Sequence, residues 1–144
     1  MTTKINFNGE ICDELSISVM DHGFLFGDSV YEVVSTHNNH PCFLDKHLDR
    51  LNNSAQAISL RIPHDREWLR KQLKLTLVAA GNEESYIRII VTRGIGEINI
   101  DPSSCESPNI ILIVMDVTSY SQSFYEKGIQ VALVSIKRNP VDSL

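Results

Sequence analysis

Cysteine, long apolar runs and basic charge are all scarce in this sequence, and each shortage excludes a class of protein. The three cysteines are widely spaced and form no Cys-x-x-Cys pair, which predicts free thiols and not a disulfide framework. The longest apolar run, residues 110–115, is far shorter than the roughly 18 residues typical of a membrane span. The formal net charge is -5, and no basic stripe indicates a nucleic-acid surface. We therefore expect a cytoplasmic protein that binds neither membranes nor nucleic acid.

What is present is the composition of one globular domain. Of the 144 residues, 42% are hydrophobic and 22% are charged. These values exclude a disordered or fibrous chain and are sufficient for one sizeable core. Strand patterns occur in blocks, and two helix patterns follow each other directly. That order favours an α+β fold over an alternating α/β fold.

Local patterns place the elements along the chain. Asn8 and Gly9 form a dipeptide that is typical of a tight hairpin turn. Asp45 is predicted to cap one helix, and Gly81 is predicted to end the next. The patterns predict a hairpin over 4–12, a one-turn helical or irregular segment over 20–28, strands over 30–36, 41–44, 86–93, 109–117 and 128–136, helices over 46–58 and 63–80, and a linker over 119–127.

Several familiar active-site motifs are missing from the sequence. Gly94 and Gly96 lack the third glycine of a dinucleotide fingerprint, and an extended segment follows them where a helix should begin. The histidines form no His-Glu-x-x-His pattern, and no serine lies within Gly-x-Ser-x-Gly. We therefore expect neither a metal site nor a serine nucleophile.

Four side chains could carry chemistry, but their spacing alone leaves two interpretations open for each. Arg50 flanks the apolar face of a predicted helix, either as a solvated side chain or as an anion clamp with two parallel hydrogen bonds. Tyr86 and Arg88 share one strand face, either as an exposed polar pair or as a cleft suited to a carboxylate. Tyr31 is either a core aromatic or a pocket residue.

Several segments, taken together, resemble one family. In order, they are Asp-His-Gly-Phe-Leu-Phe-Gly-Asp-Ser-Val-Tyr-Glu over 21–32, Lys-His-Leu-Asp-Arg-Leu over 46–51, Ser-Ala over 54–55, Tyr-Ile-Arg-Ile-Ile-Val-Thr-Arg-Gly over 86–94, and Asp-Pro over 101–102. This pattern resembles the class IV aminotransferases, which are fold-type IV pyridoxal 5'-phosphate enzymes. The resemblance covers nearly the whole chain and implies a homodimer with the cofactor bound between a small and a large domain.

The resemblance also implies a domain organisation. Residues 1–120 would form the small N-terminal domain, an antiparallel sheet with helices packed on one face. Residues 121–144 would form the interdomain linker and the first strand of a truncated large domain.

Individual residues match functional positions of the family. Arg50 matches the arginine that binds the cofactor phosphate. The positions that match the substrate pocket are Tyr31, Val33, Tyr86, Arg88 and Phe26, the last of which can serve the neighbouring subunit's site. The resemblance therefore predicts that Arg50 borders a hollow shared with Tyr31 and Tyr86.

Within the family, the sequence is most similar to the branched-chain type. Tyr86 and Arg88 match the Tyr-x-Arg pair of those members, and lyase members usually lack the arginine. D-amino acid members carry an Arg-x-His carboxylate trap in the following loop, whereas residues 94–102 contain neither residue type. His47, however, also occurs in the D-amino acid type. The predicted reaction moves an amino group between a branched-chain L-amino acid and 2-oxoglutarate; a D-amino acid aminotransferase and an aminodeoxychorismate lyase remain the alternatives.

The part of the family pattern that this chain matches does not include the lysine that forms the Schiff base with the cofactor. In the family it follows the segment that resembles residues 134–144, and Lys137 precedes the Arg-x-Pro step and so does not match it. We therefore expect no catalytic residue in this chain, no activity from it alone, and weak affinity for pyridoxal phosphate. Two further hypotheses are a non-catalytic dimerisation module and a small anion-binding domain that uses Arg50.

Overall fold

The chain folds around one antiparallel sheet, in agreement with the predicted α+β class. The computed structural model describes residues 2–117 and 120–136. The strands in these ranges are β1 (Lys4–Phe7), β2 (Glu10–Cys12), β3 (Ser29–His37), β4 (His40–Pro41), β5 (Ser85–Thr92) and β6 (Asn109–Asp116), and the α-helices are α1 (His22–Leu25), α2 (Leu44–Ala57), α3 (Arg66–Ala80) and α4 (Gln122–Lys127). No helix of the described ranges has both the length and the apolar character needed to cross a membrane.

Helices α2 and α3 cover one face of the six-stranded sheet. The strand order is β2-β1-β6-β5-β3-β4, and every neighbouring pair is antiparallel. Helix α2 packs on β3, and α3 packs on β1 and β6. The core between the helices and the sheet consists mainly of Leu48, Leu51, Leu69, Leu73, Leu77, Val34, Ile87, Ile89, Val91, Ile110, Leu112 and Val114. The expectation of helices on one face is confirmed, and no helix of the described ranges packs on the opposite, open face.

The predicted hairpin turn and the predicted helix end at glycine are both present in the structure. Asn8 and Gly9 both adopt positive φ, at 51° and 101°, which is the backbone of a two-residue hairpin turn between β1 and β2. Gly81 adopts φ 63° directly after α3, and its N–H donates to the Leu77 carbonyl. Both positions therefore use the left-handed conformation that glycine and asparagine tolerate best.

The start of α2 differs from the prediction. The helix begins at Leu44, after Phe43 in a left-handed conformation with φ 50°, so Asp45 lies in the first turn and is not the cap. Strand β4 is correspondingly limited to His40–Pro41 instead of 41–44. A carboxylate in the first helical turn is still favourable, because it interacts with the positive end of the helix dipole.

The segment after residue 119 also differs from the prediction. Its polar composition suggested a linker, but residues 122–127 form α4, which ends at Gly128 with φ 74°. Residues 128–136 alternate in hydrophobicity but form no strand, since no neighbouring strand of the described ranges supplies backbone hydrogen bonds. Residues 137–144 lie outside the described ranges, and the proposed domain boundary at 120 stays a prediction.

Candidate active site

Strand β3 directs consecutive side chains to opposite sides of the sheet. Tyr31 is 57% exposed, whereas Glu32 is 3% exposed. Glu32 lies on the helix-covered face with Val30 and Val34, and Tyr31 lies on the open face with Val33, as expected for the alternation of a strand. The residues of the candidate site are therefore divided between the two faces.

On the helix-covered face, Glu32 binds two basic side chains of α2. Its carboxylate oxygens accept hydrogen bonds from Nε and Nη2 of Arg50, each at 2.5 Å. Oε2 of Glu32 also accepts from Nδ1 of His47 at 2.8 Å, so this ring nitrogen carries the hydrogen. The bidentate pair fixes the plane of the guanidinium, which a single contact would not do.

The spacing of the basic residues on α2 explains why they meet this acid. His47 and Arg50 are three residues apart, so they lie on one side of the helix, next to the buried Leu48 and Leu51. Helix α2 packs directly on β3 and so holds this side of the helix over Glu32. The same apolar contacts that build the core therefore position the ion pair.

The cluster also sets the ionisation of its members. Burial by itself raises the pKa of Glu32, but the hydrogen bonds and charges of Arg50 and His47 together outweigh that effect and hold the pKa below its usual value. The hydrogen bond and charge of Glu32 raise the pKa of Arg50. Glu32 and Arg50 are consequently both charged at neutral pH.

A shallow hollow of about 300 Å³ lies beside the cluster. It is lined by Phe43, Lys46, His47 and Arg50. The side chain of Arg50 is 67% exposed, and Glu32 accepts only its Nε and one Nη2 hydrogen, so further N–H donors remain for an anion within the described part of the chain. A cationic, fork-shaped donor set of this kind fits a phosphate group.

On the open face, Arg88 lies among apolar and aromatic neighbours. Val33 on β3 and Ile113 on β6 are its direct partners across the sheet. The Cζ atom of Arg88 lies 4.3 Å from the centroid of the Tyr31 ring, a cation–π contact. Tyr86 faces the same side, two residues earlier on β5.

One donor of Arg88 has no acceptor. Its Nε atom is buried and makes no hydrogen bond with any residue in the described ranges. A buried N–H without an acceptor is costly, and the cost is removed when a ligand supplies one. A carboxylate is the acceptor that suits a guanidinium best, because two parallel hydrogen bonds can form.

Phe26 belongs to neither group. It lies at the C-terminal end of α1, is 43% exposed, and packs edge-on against His22 with ring centroids 4.9 Å apart. The structure therefore brings four of the predicted pocket residues to the open face, namely Tyr31, Val33, Tyr86 and Arg88. Arg50 and Phe26 lie elsewhere.

The hollow found beside Arg50 differs from the predicted one, and the assignment of Arg50, Tyr31 and Tyr86 to one site stays a prediction. The hollow beside Arg50 contains neither Tyr31 nor Tyr86. The reason is the strand alternation, since the Arg50 guanidinium is bound to Glu32 on one face while Tyr31 extends from the other. Arg50 binds Glu32, which is the residue after Tyr31 on β3, so Arg50 and Tyr31 are connected through this strand and not across one cavity.

The sequence analysis missed the roles of Glu32 and His47, although a signal was present. Glu32 shares its alternating strand face with Val30 and Val34, which predicts a buried acid that needs a partner. A helix with basic residues three apart, close to its apolar face, could have supplied that partner. Within the described ranges, no group of three or more His, Cys, Asp or Glu residues is placed to hold a metal ion.

Comparisons with known proteins decide the family. A family model described as amino-transferase class IV matches residues 29–144. The chain belongs to the class IV aminotransferases. A relative from Methanocaldococcus jannaschii, named "Putative branched-chain-amino-acid aminotransferase", is 36% identical over 143 residues, which are 98% of this chain and 49% of that protein. The D-alanine aminotransferase of Listeria monocytogenes is 39% identical over 84 residues, which are 58% of this chain and 29% of that enzyme.

A solved structure shows the same fold. The branched-chain amino acid aminotransferase of Escherichia coli superposes with a TM-score of 0.89 at 22% identity, and the match covers 100% of this chain and 50% of that one. The chain therefore has the fold of the N-terminal half of a fold-type IV aminotransferase. It spans about half the length of the Methanocaldococcus jannaschii relative and of this solved structure.

Proposed function

We propose that this chain is the phosphate-binding and substrate-binding half of a pyridoxal phosphate-dependent aminotransferase. In this proposal, Arg50 binds the cofactor phosphate, and the open face around Arg88 binds the carboxylate of the substrate. The reaction moves an amino group between a branched-chain L-amino acid and 2-oxoglutarate. The observation that carries the proposal is the Nε–H of Arg88, which is buried in an apolar and aromatic surrounding without an acceptor in the described ranges.

The phosphate-binding role is supported by the preorganised guanidinium. Glu32 holds Arg50 through two hydrogen bonds, so little side-chain entropy is lost when an anion binds its remaining donors. Lys46 and His47 line the same hollow. Glu32 keeps one negative charge within this basic cluster, so the cluster as a whole is less positive than its basic residues alone would make it.

The substrate-binding role is supported by the mixture of side chains on the open face. Val33 and Ile113 flank Arg88 and provide apolar surface of the kind that a branched aliphatic side chain prefers. Tyr31 lies against the guanidinium and restricts its orientation. One charged group in an apolar surface fits an amino acid that combines a carboxylate with a hydrocarbon side chain.

The division of work between cofactor and protein follows from this geometry. Pyridoxal phosphate, when bound, supplies the electron sink for the carbanion that amino-group transfer requires. Arg50 would hold the phosphate end, and Arg88 would orient the substrate carboxylate. We expect the 144-residue chain to show no transamination, since the Schiff-base lysine of the family pattern is not among its residues.

Two alternatives remain inside the family. The similarity to a D-alanine aminotransferase favours D-amino acid substrates, but residues 94–102 lack the Arg and His of that type. An aminodeoxychorismate lyase is less compatible with Arg88, which lyase members usually lack. The name of the Methanocaldococcus jannaschii protein, which this chain matches over 98% of its length, supports the branched-chain reaction.

A chimaera tests the proposed reaction. It joins this chain to the remaining half of the Methanocaldococcus jannaschii relative, and amino-group transfer from L-leucine or D-alanine to 2-oxoglutarate is measured. We expect transfer from L-leucine. Arg50→Met should raise the concentration of pyridoxal phosphate needed for half-maximal activity about tenfold, and Arg88→Leu should raise KM by a similar factor, because each loses a charge-assisted hydrogen bond.

The control is Arg66→Met, which removes an exposed arginine of α3 that pairs with Asp45 and Asp49. It should change neither cofactor demand nor KM. Preference for D-alanine over L-leucine would contradict the branched-chain assignment, and unchanged cofactor demand in Arg50→Met would contradict the phosphate role.

A further inference from the structure

His22 joins two segments that are distant in sequence. It lies in the single turn of α1 and is 1% exposed. Its Nε2 atom is 2.8 Å from the carbonyl oxygen of Glu97, and because a carbonyl only accepts, Nε2 carries the hydrogen. The backbone N–H of His22 donates to the carbonyl of Gly94 at 2.9 Å. The loop after β5 is thus bound to α1 by both the backbone and the side chain of one residue.

The loop is shaped to accept this ring. A Cβ atom at Gly96 would lie 2.6 Å from Cys105 Sγ, 2.7 Å from Nε2 of His22 and 2.8 Å from Ser104 Oγ, so only glycine fits between the imidazole and residues 104 and 105. The Gly96 N–H donates to the Met20 carbonyl at 3.2 Å, and Asp21 and Ile95 form an isolated antiparallel bridge. Residues 94–97 therefore lie alongside residues 20–22, where α1 begins.

The same ring also contacts Phe26. The two rings meet edge to face at an interplanar angle of 80°, a favoured aromatic arrangement. The Phe26 N–H donates to the His22 carbonyl at 2.9 Å. Phe26 is 43% exposed, and Ile95 and Ile98 in the loop are 56% and 74% exposed. A buried polar ring thus lies between one exposed aromatic side chain and an exposed apolar loop.

We propose that His22 is a positioning residue that holds Phe26 and residues 94–97 in one fixed arrangement. Its Nε2–H sets the loop, and its ring edge sets Phe26. The inference rests on the proposed function in one respect, which is that Phe26 then belongs to a substrate pocket. The two contacts of His22 use different parts of the side chain, so they can be removed one at a time.

Two variants of the 144-residue chain separate the contacts. His22→Phe keeps an aromatic ring beside Phe26 but removes the donor to Glu97. His22→Gln keeps a donor but removes the ring. Amide hydrogen exchange of residues 96, 97 and 99, and the ring-proton resonances of Phe26, are measured by NMR, with amides of β5 and β6 as the check that the sheet is intact.

We expect each variant to change one of the two measured properties and to leave the other unchanged. His22→Phe should speed exchange at residues 96 and 97 about five- to tenfold, because one buried hydrogen bond is lost. His22→Gln should keep that protection and move the Phe26 ring resonances. Unchanged loop exchange in His22→Phe, or equal loss of protection in both variants, would overturn the proposal.

A third variant tests the same contact without changing His22. Gly96→Ala introduces a Cβ atom that collides with Nε2 of His22 and also with Cys105 Sγ and Ser104 Oγ, so it should release the loop from all three even where a His22 variant does not fold. Protection of residues 97 and 99 as strong as in the wild type would contradict the proposal. None of these measurements needs cofactor or substrate. Their failure therefore overturns the positioning role alone, and failure of the chimaera experiment overturns the proposed function alone.

Discussion

The two faces of the sheet differ in how their charged groups are satisfied. On the helix-covered face, Glu32 is buried and accepts hydrogen bonds from Arg50 and His47. On the open face, Arg88 is packed against Tyr31 and retains a buried Nε–H without an acceptor in the described ranges. In the described ranges, the buried carboxylate of the helix-covered face is paired within the chain, whereas the buried Nε–H of Arg88 on the open face is not.

Because of this difference, we expect adjacent residues of β3 to contribute to different properties, one to stability and the other to ligand binding. Residues 31 and 32 are neighbours in sequence, but a change at Glu32 affects a buried ion pair and a change at Tyr31 affects an exposed ring. A buried, paired group contributes mainly to folding, whereas a donor left without an acceptor costs stability until a ligand supplies one. Substitutions at adjacent positions should therefore have different consequences, and the following predictions test that contrast.

The largest difference is expected between two isoleucines of β5. Ile89 is 1% exposed under the helices, and Ile90 faces the open side and is half-buried. Ile89→Ala should lower the free energy of unfolding by about 2–5 kcal/mol, since it leaves a cavity in a packed core. Ile90→Ala should cost about 1 kcal/mol or less. Urea denaturation of both variants measures this, and equal losses would show that the open face is covered by other parts of the chain.

A smaller difference is expected between the adjacent residues of β3. Glu32→Gln should lower the free energy of unfolding by about 1 kcal/mol, because charge-assisted hydrogen bonds become neutral ones. The loss is moderate because Arg50 is largely exposed and stays hydrated. Tyr31→Phe, the matched control, should cost less than about 0.5 kcal/mol. Thermal unfolding checks both values, and a larger loss in Tyr31→Phe would reverse the comparison.

The smallest effect is a dependence on pH. The pKa of Glu32 is lowered below its usual value of 4.5 in the folded chain. Its contribution is therefore fully present above pH 4.5 and is lost as the pH falls through the folded pKa, because the unfolded state binds the proton first. Glu32→Gln should flatten that part of the stability profile measured by denaturation between neutral and acidic pH. A profile parallel to that of Tyr31→Phe would contradict the assigned shift.

Much of the fold follows from local sequence signals. Asn8 and Gly9 determine the first hairpin, and Asp65 and Gly81 bound α3, since each residue type satisfies a specific backbone requirement. Position 43 could not be predicted in this way. A phenylalanine in the left-handed region is not favoured by its own chemistry, so the residue type at this position gives no signal for the start of α2.

The sequence selected the candidate site residues, which stay predictions, but it did not give their arrangement. The family resemblance selected Arg50, Tyr31 and Arg88, whereas the alternation of β3 separates Arg50 from the other two. Alternation within residues 30–34 was visible in the sequence, but the side of the sheet that α2 covers was not. At residues 128–136 a local pattern was not sufficient, because alternation predicted a strand but no strand within 2–117 or 120–136 pairs with this segment.

Binding of pyridoxamine 5'-phosphate tests the central claim most directly, because this form of the cofactor has no aldehyde to react with other lysines. In NMR titrations of the 144-residue chain, millimolar pyridoxamine phosphate or inorganic phosphate should change the chemical shifts of Arg50 and His47. Pyridoxamine, which lacks the phosphate, should change neither. Arg50→Met should abolish these shifts, and the control Arg66→Met should keep them. Shifts that persist in Arg50→Met, or that occur only on the open face around Arg88, would contradict the assignment of Arg50 as the phosphate-binding residue.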